Sequence, residues 1–172
     1  MRILAIDPSL TATGLCYPDG TTETLKTRLT GMERLEWLRD YVAIYAEDAD
    51  LVVIEGYSYG SKGRAVVNIG ELGGVLRLWL YEYGPPYVEI PPSCLKRYAT
   101  GKGNASKDDM LQAAVVRSGH TFCDNNAADA WWLWQAALAH YCPESESLVR
   151  MPKAHLEGLK KVVWVEIAEV AA

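Results

Sequence analysis

Apolar residues recur along this chain with two periods. Ile3-Leu4-Ala5-Ile6 runs unbroken into Asp7, and Leu51-Val52-Val53-Ile54 runs the same way into Glu55. Continuous apolar runs of this length suit strands covered on both faces. Arg2 to Asp7, Gly14 to Tyr17 and the threonine-rich stretch Thr21 to Arg28 predict three strands in a meander, with Pro18-Asp19-Gly20 as the hairpin turn. The period then lengthens. Met32, Leu35, Leu38, Val42 and Tyr45 mark a helix from Gly31 to Ala46, and a second, long apolar helix is predicted from Arg64 to Tyr83. Its Gly70, Gly73 and Gly74 each cost roughly 1 kcal/mol relative to alanine, which close approach to another backbone would explain.

Gly84-Pro85-Pro86 ends that helix, and Tyr87 to Ile90 reads as a short strand. Ser93 is expected to cap a short helix carrying Lys96. Ser106, with Asp109 three residues later, predicts a capping box. Asn126 to Tyr141 is the last strong helix. From Pro143 a polar linker leads to an expected amphipathic helix with Leu156, Leu159, Val162 and Val163. The order strand-strand-strand-helix-strand-helix-strand-helix-helix implies an α/β fold, a mixed central sheet with helices on both faces. We divide the chain into a domain over 1–142 and a C-terminal extension over 143–172, expected to be a helix packed on that domain.

Composition narrows the class. Of 172 residues, 49% are apolar and 23% charged, which excludes a largely disordered chain. No apolar run reaches the ~20 residues of a membrane span. Asp7 falls where a signal peptide would continue its apolar stretch, so a cytoplasmic protein with no membrane association is expected. Cys16, Cys94, Cys123 and Cys142 are scattered, which argues for free thiols over a zinc site or disulfide framework. Trp131, Trp132 and Trp134 share one helix and cannot all face one way, so they read as structural. His120, His140 and His155 are isolated and receive no role.

The net charge of −5 argues mildly against nucleic acid, but its distribution matters more. Residues 61–117 carry eight basic and five acidic side chains, against five and ten in residues 1–60. A basic strip inside an acidic protein can hold a phosphate backbone.

The candidate chemistry lies in the carboxylates. Asp7 and Glu55 each end a buried strand, where a carboxylate loses solvation and needs a partner. Adjacent strands would bring both to one sheet edge, and a hard divalent cation with oxygen ligands would relieve their repulsion. Asn126 and Asp129 are three apart and share a helix face. Ala127, Ala128 and Ala130 are small enough to let that helix press on the sheet.

These segments have a familiar look. Ile6-Asp7-Pro8-Ser9-Leu10-Thr11-Ala12-Thr13-Gly14 resembles the first acidic motif of the RuvC-type Holliday junction resolvases, and Val53-Ile54-Glu55-Gly56 their second. Gly101 to Lys107 is similar to their glycine-lysine segment, with Lys96 eleven residues before Lys107. Asn126-Ala127-Ala128-Asp129-Ala130 resembles the last motif. The similarity covers residues 1 to about 141, and the short form with a tail looks more like bacteriophage members, which would work in the host cytoplasm. The resemblance implies an RNase H-like (ribonuclease H/RuvC) fold, a homodimer, and paired nicks across four-way DNA junctions, by phosphodiester hydrolysis with two magnesium ions that manganese replaces. Implied metal ligands are Asp7, Glu55 and Asp129. The family often has an acid or histidine where this chain has Asn126, so the fourth ligand is Asn126 or Asp124. Lys107 is an implied catalytic neighbour.

For DNA contact, Lys96, Lys102 and Lys107 are the expected phosphate binders. Tyr57, Tyr59, Lys62 and Arg64 form an expected stacking and basic loop near the junction centre. The dimer patch is expected on the Arg64–Tyr83 helix, at Gly70, Gly73 and Gly74 with Val66, Val67, Leu76 and Leu80. Three other readings compete: a broader branched or flap DNA endonuclease, an actin-like phosphotransferase-related domain suggested by Asp7 to Gly14, and a non-catalytic DNA-binding module.

Overall fold

The computed structural model describes residues 1–57 and 64–167; the side chains of 64–69 also lie outside that description, and with them Tyr59, Lys62, Arg64, Val66 and Val67 as candidates. Five strands form one sheet in the order β3-β2-β1-β4-β5: β1 Ile3–Asp7, β2 Thr13–Cys16, β3 Thr22–Leu25, β4 Leu51–Glu55 and β5 Tyr87–Ile90. The first three pair antiparallel as the predicted meander, and β4 and β5 add in parallel beside β1. Gly20 closes the first hairpin at φ 85°, where Asp19 Oδ1 accepts from the Thr21 amide and hydroxyl.

Two apolar layers sandwich the sheet, and the two-residue period of a strand assigns side chains to them. Ile3, Ala5, Leu51 and Val53 join one core with α3 (Pro92–Thr100), α4 (Lys107–Ser118) and α5 (Asn125–Tyr141). Leu4, Ile6, Val52 and Ile54 join the other with α1 (Gly31–Ala46) and α2 (Arg64–Tyr83). Every residue of α5 from Ala127 to Leu138 is buried, because the sheet covers one side and α3, α4 and the tail the rest. That explains its three tryptophans: Trp132 meets Tyr98 edge-on, Trp131 lies beside Phe122, and Trp134 sits under the Gly20 turn.

The capping box at Ser106 and Asp109 forms as expected. Two expectations are corrected. Ser93 does not cap α3: Pro91 is the N-cap, and fixed-φ Pro92 starts the helix two residues earlier than a Ser93 cap would. The tail is not one amphipathic helix. It has a four-residue α6 (Lys153–Leu156), a 3₁₀ turn (Glu157–Lys161) and then extended chain. Leu159 and Val162 reach the α3–α5 core, whereas Val163 is 85% exposed. Gly158 is the reason for the tight seat: a Cβ there would stand 2.8 Å from the Cys94 carbonyl oxygen and the Tyr98 nitrogen. Farther on, Trp164 stacks on His140 and Tyr141 donates a hydrogen bond to the Val165 carbonyl. No helix among the described residues is long and apolar enough to cross a membrane.

Helix α5 approaches the sheet very closely at Gly14 on β2. A Cβ there would overlap the Asn126 carbonyl and lie 3.3 Å from the Ala127 nitrogen. Gly14→Ala should therefore lift the start of α5 off the sheet and cost about 1–3 kcal/mol, as overpacking does. At roughly 2–4 °C per kcal/mol for a chain of this size, calorimetry should register a clear loss of melting temperature. An unchanged melting temperature would mean that the contact relaxes freely.

Candidate active site

Strand parity decides which carboxylates meet. Asp7 follows Ile3 and Ala5, and Glu55 follows Leu51 and Val53, so both fall on the α5 side of the sheet. They lie one step past the paired residues Ile6 and Ile54 on adjacent parallel strands. Gly14 is Asp7's partner on the other flank, and its missing side chain lets α5 bring Asp129 down to the same edge. Asp7 is 5% exposed and Asp129 9%, while Glu55 is half-buried. Thr13 secures the turn after Asp7, its hydroxyl donating to the Ser9 carbonyl (2.7 Å) and accepting from the Ser9 amide.

The electrostatics follow from that burial. Desolvation pushes Asp7 up to about 6, against a hydrogen bond from Glu55 and the nearby Lys107, which lower it. Desolvation and the charges of Asp7 and Asp129 raise Glu55 well above the carboxylate range, and it holds the proton of the Asp7–Glu55 hydrogen bond. Asp129 is pushed up to about 7 by burial and by Asp7, with Lys107 and Lys96 opposing. Asp129 Oδ1 is buried without a hydrogen-bond partner among the described residues. The three carboxylates converge without forming a closed cage: among the described residues no group of three or more His, Cys, Asp or Glu is arranged to hold a metal ion as it stands.

The remaining candidates divide. Lys107, at the first turn of α4, and Lys96, on α3, both act electrostatically on this cluster. Asn126 is held beside it by its backbone contact with Gly14. Asp124 is committed elsewhere. Its Oδ1 accepts from Thr24 Oγ1 (2.7 Å) and from the Asn126 and Ala127 amides, and its Oδ2 pairs with Lys26 at 3.3 Å. It is the N-cap of α5, with a lowered pKa to match those hydrogen bonds. Lys102 lies exposed in the α3–α4 loop.

Tyr57 is half-buried under Arg77, whose guanidinium carbon lies 4.2 Å from the ring centroid. Sequence reasoning missed Arg77. Its Nη2 donates to the Glu55 carbonyl (3.2 Å) and to Glu89 Oε2 (2.8 Å), fastening α2 to the ends of β4 and β5. The one available signal was Gly73 in mid-helix: a Cβ there would collide with Arg77 and stand 2.7 Å from the Tyr57 hydroxyl. Gly73 therefore serves contacts within the chain, and Leu76 and Leu80 are buried at 1% and 2%, so these three are removed from the expected dimer patch.

Sheet order, helix placement and the carboxylate edge together define an α/β domain of the RNase H-like class. The crossover junction endodeoxyribonuclease RuvC of Synechococcus sp. (strain WH7803) is 30% identical over 127 residues, 67% of this chain and 82% of that protein. The chain belongs to the RuvC family. Thermus thermophilus RuvC superposes with a TM-score of 0.64 at 20% identity, over 81% of this chain and 95% of that one. The same protein in complex with Holliday junction substrate superposes with a TM-score of 0.63, over 77% and 90%. No protein-family model matches the chain.

Raised carboxyl pKa values have a definite sign in stability. The folded state holds protons that the unfolded chain has already lost, so stability present at pH values near the ordinary 3.8 falls as pH rises through about 6 and about 7. Asp129→Asn removes one of the two carboxyls that ionise across this window, and with it the repulsion between Asp129 and Asp7. In chelator, this variant should lose less melting temperature than the parent across that window, by several degrees at roughly 2–4 °C per kcal/mol. Parallel pH profiles for the two proteins would rule out the repulsion.

Proposed function

We propose that this chain is a structure-selective DNA endonuclease that resolves four-way junctions by metal-assisted phosphodiester hydrolysis, with Asp7, Glu55 and Asp129 as the metal-binding carboxylates. The observation that carries the reading is the buried, unpartnered Oδ1 of Asp129 beside two other carboxyls with raised pKa, an arrangement that costs free energy until a cation arrives. The donor set is oxygen only, which suits magnesium, or manganese in its place. The carboxylates would have to rearrange around the ions, since no closed cage stands among the described residues. Bound divalent ions, two per site in this reading, would supply Lewis acidity for the attacking water and the leaving 3′ oxygen. Asn126 is the better fourth ligand, since both oxygens of Asp124 are already engaged.

The chain's own part is to position and to balance charge. Asp7 and Glu55 are fixed by the sheet, and Asp129 by the close seat of α5. Lys107 tempers all three carboxylates and in this reading would meet the scissile phosphate. Lys96 and Lys102 extend that attraction along the DNA backbone. Relatives bearing the name crossover junction endodeoxyribonuclease, and the junction-bound Thermus thermophilus structure, support four-way DNA over flaps as the substrate.

Two equivalent strands must be cut, so we place a two-fold homodimer on the outer face of α2. Glu71, Gly74, Leu78 and Tyr81 are exposed there, and among the described residues a Cβ at Gly70 or Gly74 would meet no atom within 4 Å.

The test is labelled four-way junction, duplex and flap DNA with magnesium, manganese or chelator. Asp7→Asn, Glu55→Gln and Asp129→Asn should each abolish nicking while junction binding persists. Near-normal cutting by any one variant removes that residue from the mechanism, and preferential cutting of flaps would favour the broader nuclease. Gly74→Glu should convert a dimer to a monomer in light scattering and reduce paired nicks more than single ones. A parent protein that is monomeric free and on DNA would overturn the paired-cut reading.

A further inference from the structure

Positive charge is segregated onto two segments that pack together. Residues 93–107 contain Lys96, Arg97, Lys102 and Lys107 and no acid, and residues 150–161 contain Arg150, Lys153, Lys160 and Lys161 with Glu157 alone. Together they carry +7 in a chain of net −5, leaving −12 for all the rest. The fold sets these stretches side by side. Gly158 lies against the Cys94 carbonyl and the Tyr98 amide, and His155 Nδ1 is 2.8 Å from the Tyr98 carbonyl oxygen. Arg97, Gly101, Gly103, Glu157, Gly158 and Lys161 line one cleft between them.

Apart from Lys96 and Lys107, which face the carboxylates, most of these cations lack an ion pair among the described residues. Among the described residues only Lys160 has an ion pair, with Glu157 at 2.7 Å; none of Arg97, Lys102, Arg150, Lys153 and Lys161 has one, although Arg2, Lys26, Arg39 and Arg77 elsewhere do. Asp109, which feels Lys102 only weakly beside its hydrogen bonds to Ser106, is held in the capping box. Arg97, Lys102, Arg150, Lys153, Lys160 and Lys161 are all exposed. Like charges gathered without counter-ions repel one another, and a polyanion laid across them removes that cost.

We propose that the C-terminal segment 150–161, seated on α3, is a contact surface for duplex DNA that carries one arm of the branched substrate away from the carboxylate edge. The proposal rests on the DNA reading above and extends it to a segment with no catalytic residue. Continuity supports it: Lys96 and Lys107 adjoin the carboxylates, Arg97 and Lys102 follow on α3 and its loop, and the tail lysines come next. The chemistry favours nucleic acid over a protein partner. Large apolar exposure on the tail is limited to Leu156 and Val163 among the described residues, too little for the apolar core of a stable protein interface. A duplex presents one phosphate charge per about 1.7 Å of axis, matching a strip of single cations with no need for pockets.

The experiment uses the full chain with Lys153→Ala, Lys160→Ala and Lys161→Ala combined, and a matching triple substitution to arginine. Binding is measured in chelator, so no cutting intervenes, on junctions with long arms and on junctions with arms trimmed to a few base pairs. The alanine triple should bind the long-armed junction at least about ten-fold more weakly and lower the salt slope of log K by two to three units, about one per lost phosphate contact. It should match the parent on the short-armed junction, and the arginine triple should match the parent on both. An unchanged affinity and slope on long arms overturns the proposal, as does an equal loss on both junctions, which would put these lysines at the branch point. The reading of the active site fails separately, if the parent does not nick junctions in divalent metal while this binding pattern still appears.

Discussion

Everything at the candidate active site depends on the bare backbone of Gly14. The start of α5 lies so close to β2 that even a methyl group would strike the Asn126 carbonyl. Because Gly14 is the register partner of Asp7, this contact sits one strand from the first carboxylate. Lowering α5 onto the sheet there brings Asp129 into the same desolvated edge as Asp7 and Glu55. The raised pKa values result from that geometry: water is excluded by packing, and three carboxyls are left to face one another. A looser helix would leave three ordinary, solvated acids.

The same helix explains why the site can be rigid. A helix apolar on every side is stable only when enclosed, and α5 is enclosed by four strands below and by α3, α4 and the tail above. Asp124 fixes its first turn through Thr24 and Lys26 of the β3 edge as well as through its own cap. The catalytic candidate on α5 is thus held from three directions, one of which comes from the far end of the sheet.

Much of this was legible in the residues. The apolar runs ending at Asp7 and Glu55 gave the strands, and parity then followed from the period of two. The Ser106–Asp109 spacing predicted its cap. What escaped was set by tertiary packing. Ser93 has the chemistry of a cap, but Pro92 fixes the helix start, so the local preference of one residue yields to the backbone of its neighbour. The glycines of α2 correctly signalled close approach, yet a sequence does not say to whom: Gly73 makes room for Tyr57 and Arg77 of its own chain. Leu76 and Leu80 carry the same apolar signal whether they face a core or a partner. The tail's Leu159 and Val162 have helical spacing, but the seat of Gly158 against α3 tightens the chain into a 3₁₀ turn instead. Arg77 left no periodic trace, because its role lies in reaching a carbonyl and a carboxylate on two other elements.

Arg77 also gives the molecule a mechanical linkage. One guanidinium grips the exit of β4 at the Glu55 carbonyl, the neighbouring strand at Glu89 and the ring of Tyr57. Helix α2, whose outer face is exposed, is therefore stapled through its inner face to the strand end that carries a catalytic candidate. A tilt or slide of that helix must either break this half-buried charged contact or drag the end of β4 with it. Pressure applied to one surface of the domain is in this way transmitted, as a lever transmits force, to the opposite side of the sheet.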